Sequence, residues 1–168
     1  SRTNRRFDTI FLGFVDSWAS VASGGLSLSE NYLYTAQAFR DYYEHLTDDG
    51  MLVILRWEMD IPRLVSNAVA VLGVDEAAAR IAVLMERRAT PPSEADLAQM
   101  LFMFRKRPFS PEQIQEMASG WKNADARILP GRPAEGAIGA VLRGQISPAA
   151  YEAASPLLVG PVFDDSPF

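Results

Sequence analysis

The feature that most restricts the fold is the order of apolar blocks between Phe7 and Trp57. FDTIFLGFVDSW is short, β-branched and aromatic and reaches an acid near its end, the pattern of a buried strand running out into a loop. NYLYTAQAFRDYYEHL carries Leu33, Ala36, Phe39, Tyr43 and Leu46 at helical spacing, with Arg40, Asp41 and Glu44 on the other side, and predicts an amphipathic helix. Thr47, Asp48, Asp49 and Gly50 supply turn chemistry, and Met51 to Trp57 is a second apolar run too short for a helix. Strand, loop, helix, turn and strand make a βαβ unit, whose strands run parallel through a right-handed crossover.

Further along, Asp60 and Pro62 open a helix whose apolar side is Leu64, Val65, Ala68, Val71 and Leu72 and which Gly73 ends. Asp75 to Arg80 suggests a short helical turn. Ile81 to Met85 and Leu97 to Phe104 are two further strands, and the link between them has no helical period, which predicts an antiparallel hairpin. Ser110, Pro111 and Gln113 form a capping box with proline at the first helical position, ahead of Ile114, Met117 and Trp121 on one face. Arg127 to Leu129 is a candidate short strand. Ala134 to Leu142 and the stretch opened by Ser147 and Pro148 are weak helices, and Pro156 to Phe168 should be extended.

Composition removes several chemistries. The absence of cysteine excludes disulfides and thiolate sites, and the single histidine, His45, excludes multi-histidine metal centres, while no serine-histidine-acid arrangement can be argued from one helical histidine. His45 is expected near a helix C-terminus, where a partly cationic ring is welcome. A net charge of −5 argues against a nucleic-acid surface. The basic runs Arg2, Arg5, Arg6 and Arg105, Lys106, Arg107 read as solvated strand ends. No apolar run is long enough to cross a bilayer and nothing resembles a signal peptide, so the expectation is a cytoplasmic chain with no membrane contact of its own. At 168 residues it is read as a single domain, 1–168. Apolar segments close to both ends suggest a piece of something longer.

No glycine-rich phosphate loop is present, since Gly24 and Gly25 lack the spacing of nucleotide fingerprints. The candidate site is the carboxyl end of the first strand, where ligands collect in open α/β sheets. Asp16, Ser17 and Trp18 fall there, and Glu30, Asn31, Tyr32 and Tyr34 return to it. Asp16 reads as a ligand or a cap, the tyrosines as pocket or packing residues, and Trp18 and Trp57 as stacking surfaces or walls. The uncharged ASVASGGLSLS between them is either a lid or an ordinary loop. Asp164 and Asp165 could bind a cation or an amine, or be a solvated tail.

FDTIFLGFVDSW, SENYLYTAQAFRDYYEHL, DDGMLVILRW, RKRPFSPEQI and the terminal DDSPF together resemble the second half of a spermidine synthase-like domain of the class I S-adenosylmethionine-dependent methyltransferase superfamily. The resemblance implies that the four strands are strands four to seven of a Rossmann-like sheet. The fold expected is α/β, a mainly parallel half-sheet in the order 4-5-7-6 with the last two strands antiparallel, helices on both faces and a C-terminal helical extension. It also implies that the cofactor loop and ribose-binding acid precede this sequence. In true spermidine synthases two acids three residues apart end the fourth strand, the first serving deprotonation of the attacking amine and the second binding the diamine. Here those positions are Gly13 and Asp16, so the acid-base carboxylate is missing.

Two functions follow. In the first, the parent transfers a group from S-adenosylmethionine or its decarboxylated form to an amine or other small nucleophile, as an aminopropyltransferase or a methyltransferase. Asp16 then holds the acceptor, and Ser17, Trp18, Glu30, Tyr32 and Tyr34 shape its pocket. In the second, the domain is a degenerate, non-catalytic binding or assembly module, the soluble part of a membrane-anchored parent. The isolated chain is expected to be inactive, to hold neither cofactor tightly, and to form a homodimer through an exposed sheet edge.

Overall fold

The computed structural model describes residues 4–14, 32–87, 98–120, 123–132 and 135–165. Five strands form one mixed sheet: β1 (Phe7–Leu12), β2 (Leu46–Trp57), β3 (Ile81–Glu86), β4 (Gln99–Arg105) and β5 (Ala124–Ile128), in the order β1-β2-β4-β3-β5. β1 and β2 are parallel, and helix α1 (Ala36–His45) lies between them in sequence. β4 pairs antiparallel with both β2 and β3, and β5 pairs antiparallel with β3. Hence β1, β2 and β3 point one way and β4 and β5 the other.

The sheet is therefore larger and less parallel than the sequence suggested. Three of the four pairings are antiparallel, because β4 runs against both β2 and β3, between which it lies, and β5, a fifth strand beyond the expected four, runs against β3. The candidate strand at Arg127 to Leu129 begins earlier, at Ala124, and is a full edge strand.

Alternation along the strands divides the core in two. Leu52, Ile54, Val83, Phe102 and Phe104 face one side, where they meet Phe39 of α1, Leu64, Val65 and Ala68 of α2 (Ile61–Leu72), Ala77 of α3 (Val74–Arg80) and Leu142 of α5 (Gly136–Leu142). Phe39 is wholly buried, its ring centroid 6.0 Å from that of Phe102 and 6.1 Å from that of Phe104. Val53, Ala82, Leu84 and Met103 face the other side, under Met117 of α4 (Pro111–Ala118) and Phe109. α4 begins with the expected capping box: Ser110 Oγ accepts from Gln113 N, and Gln113 Oε1 accepts from Ser110 N. The last helix, α6 (Pro148–Ala154), is capped by Ser147.

The turn expected at Thr47–Gly50 lies inside β2. Between Phe7 and Thr9 of β1 the facing residues of β2 move from Leu46 to Met51, so the intervening residues bulge outward. Gly50 makes the bulge possible, since a Cβ there would lie 2.8 Å from Phe7 O and 3.0 Å from Thr47 N. The basic run after β4 braces it. Lys106 N donates to Gly50 O at 3.0 Å, and Arg107 pairs with Asp48 and Asp49, each at 3.3 Å. Lys106 Nζ lies over the Tyr43 ring, 4.0 Å from its centroid, and donates to Tyr43 O.

Candidate functional site

The parallel β1–α1–β2 unit sends the ends of β1 and β2 to one side of the sheet. After Leu12 the chain passes Gly13 to Phe14, whose ring lies 4.9 Å from that of Trp57 at the end of β2. The 3-10 turn Tyr32–Tyr34 meets the same end. Arg56, the residue before Trp57, sets its guanidinium 4.4 Å from the centroid of the Tyr34 ring, and its Nε is 3.3 Å from the Asp60 carboxylate. Asp60 was expected to cap α2. It makes no side-chain cap bond, because its carboxylate is turned to Arg56.

Of the candidate site residues, Tyr32 and Tyr34 are thus brought to the carboxyl end of β1 and β2, Tyr32 exposed and Tyr34 partly buried. Asp16, Ser17, Trp18, Glu30 and Asn31, with the loop between them, lie outside the described residues, as does Trp121. Trp57 packs on Phe14. His45 ends α1, and its Nδ1 donates to Asp41 O at 2.7 Å. Among the described residues no group of three or more histidine or acidic side chains could hold a metal ion, and no helix is long and apolar enough to cross a membrane.

A set of polar groups that the sequence reading did not assign fixes the Tyr32–Tyr34 turn. Asn67, on α2, is wholly buried; its Nδ2 donates to Tyr34 O at 2.6 Å and its Oδ1 accepts from Val162 N at 2.9 Å. Ala36 N donates to Val162 O at 2.7 Å. Thr35, also wholly buried, caps α1 by accepting from Ala38 N and donates to the Asp164 carboxylate at 2.6 Å. Arg63 holds the same C-terminal segment through Leu158 O at 2.8 Å. The tail is therefore tied across the start of α1 and along α2, and Asp164 accepts a hydrogen bond from the Thr35 hydroxyl. One signal for this was available: Asn67 sits three residues after Leu64 and four before Val71, within the apolar side of its helix.

Tyr42 supports the turn from below, its hydroxyl donating to Leu33 O at 3.1 Å. Burial first, then the nearby Tyr34 and Asp41, push its pKa up to about 12. Beside the end of β2 a cavity of about 620 Å³ runs from Glu58 and Pro62 over Met100 and Val83 to Arg127 and Arg132. A second, of about 400 Å³, lies at the opposite end of the sheet against α4, between Thr9, Met51, Met103 and Phe109.

Fold and site define a mixed α/β domain with an aromatic, partly cationic rim at the carboxyl ends of its two parallel neighbours. No family model matches the chain, and no curated protein sequence matches it significantly.

Proposed function

We propose that the chain is the C-terminal part of a spermidine synthase-like group transferase of the Rossmann-like methyltransferase superfamily, acting in the cytoplasm on an amine or another small nucleophile. The cofactor in the parent is S-adenosylmethionine or its decarboxylated form, held by residues outside this sequence. Asp16 binds the acceptor, and Ser17, Trp18, Glu30, Tyr32 and Tyr34 wall the pocket. The observation that supports the reading is the parallel β1–α1–β2 unit, with Phe14 on Trp57 and the Tyr34 ring under Arg56 at the carboxyl end of its strands. That is where open α/β sheets take their ligands.

Gly13 favours a second reading, a non-catalytic binding or assembly module. Crowding does not dictate the glycine, since a Cβ there would meet Phe11 Cε1 at 3.4 Å, an ordinary contact. The position has room for a Cβ and carries none. Calorimetry of the intact parent with each nucleoside, and then with putrescine, separates the two. Heat with a nucleoside and with putrescine, the latter lost in Asp16→Ala, is the expected result; no heat with either removes the enzyme reading.

As an isolated chain the domain is inactive and pairs with itself through β1. Among the described residues β1 lies at the edge of the sheet and exposes Phe7 and Phe11, and Phe14 follows it, also exposed. Unpaired strand edges flanked by apolar side chains seek a further strand.

A further inference from the structure

We propose that the cavity of about 620 Å³ is a binding site for a small amphiphilic anion, with a carboxylate or phosphate head on Arg127 and Arg132 and an apolar chain along the sheet. The site stands apart from the transferase reading, because none of its residues belongs to the acceptor pocket drawn there. Its size is that of ordinary small-molecule sites, which run to roughly 300–1,000 Å³. Its floor is apolar: Val83, Met100 and Ile128 are buried in the larger core, and Ile138 of α5 packs against them, partly exposed.

Two irregularities of the chain bring the arginines to this floor. Side chains two residues apart in a strand share a face, yet Ala126 packs with the smaller core and Ile128 with the larger. The cause is a bulge: Ile128 faces Val83 and Ala126 faces Leu84, so Arg127 between them has no partner on β3. The extra residue turns its side chain to the cavity, where a guanidinium nitrogen lies 3.0 Å from Met85 Sδ. A tight turn through Pro130 and Gly131 returns Arg132 to the same wall. Gly131 has φ 72°, and Leu129 and Arg132 exchange main-chain hydrogen bonds of 3.0 and 3.2 Å. Among the described residues neither guanidinium has a carboxylate within ion-pair distance, whereas Arg56, Arg80, Arg87 and Arg107 do. Two guanidinium forks on one wall suit a carboxylate or a phosphate, which they can grip in bidentate fashion. Glu58 and Glu135 also line the cavity, so its lining carries no net charge and a bare inorganic anion gains little there. Affinity therefore comes from the floor, and orientation from the arginines. From Met100 on β4 across β3 to Arg127 on β5 is two strand spacings, about 10 Å, which an eight-carbon chain spans.

Octanoate and octyl phosphate are the probes, titrated while the methyl resonances of the methionines are followed. Met100 lies in the cavity floor, whereas Met103 and Met117 lie in the core on the other face of the sheet. The expected result is a saturable shift at Met100, with Met103 and Met117 unmoved, for at least one probe; which of the two binds tighter names the head group. Butanoate, with a shorter chain to lay on the floor, should bind roughly tenfold more weakly than octanoate, or worse. Octylamine, equally long but cationic, should also bind on the order of tenfold more weakly. The variant Arg127→Gln/Arg132→Gln, both positions exposed, should keep its unliganded methionine spectrum and lose on the order of tenfold in affinity for the anionic probes. No saturable shift at Met100 with either probe at millimolar concentration overturns the proposal. So do shifts at Met103 or Met117 in its place, octylamine binding as tightly as octanoate, or a double variant that binds unchanged.

Discussion

Replacing Asn67 by alanine should cost more than any surface change near the rim. Its amide spans two main-chain groups far apart in sequence, Tyr34 O at 2.6 Å and Val162 N at 2.9 Å, at a site with no exposure. Truncation leaves both groups buried without partners, and each such group costs about 1–3 kcal/mol. A total of about 2–4 kcal/mol follows, with the lower part of each range taken because the segment can open to water. For a domain of this size that lowers Tm by roughly 10 °C. Asn67→Leu keeps the volume and strands the same two groups, so it should lose nearly as much. Urea denaturation at fixed protomer concentration measures both, and hydrogen exchange at the Val162 amide reports the freed segment directly. A leucine variant within about 0.5 kcal/mol of the parent would refute the argument, because the role of Asn67 would then be volume and not bonding.

Three further outcomes are expected. Gly50→Ala should cost roughly 2 kcal/mol or more by chemical denaturation, since the added methyl meets Phe7 O at 2.8 Å and the bulge must shift. Ser110→Ala should cost about 1 kcal/mol and fray the start of α4, seen as faster exchange at the Gln113 amide, whose acceptor is Ser110 Oγ. The Tyr42 hydroxyl, raised from 10.0 to about 12, contributes stability that is complete below pH 10 and is lost as pH rises through about 12. Tyr42→Phe should flatten that alkaline decline, read from melting curves across the same interval.

What could be read from the residues was whatever local chemistry decides. The capping box at Ser110, the stripe that buries Phe39, and the antiparallel pairing of β3 with β4 follow from spacing, cap type and link length. The start of β2 is not legible, because Thr47–Gly50 is turn chemistry wherever it stands, and only the position of Phe7 O tells that it forms a bulge within a strand. β5 was seen too short because Ala124 and Asp125 are poor strand formers, kept extended by pairing with Glu86 and Met85. Of the rim, Tyr32 and Tyr34 were legible from the βαβ order. Thr35 and Asp164 carry no such signal, since no local pattern relates residues that far apart.

The bond from Asn67 to Val162 closes over 95 residues, and that span sets an order in time. A chain growing from its N-terminus can form β1, α1 and β2 early, since their contacts are local. It cannot satisfy the buried amide until translation has passed Val162, so the bracket on the Tyr34 carbonyl stays incomplete while the 95 residues after Asn67 are made. The rim at the end of β1 therefore gains one of its fixed hydrogen bonds only from residues that follow it far along the chain.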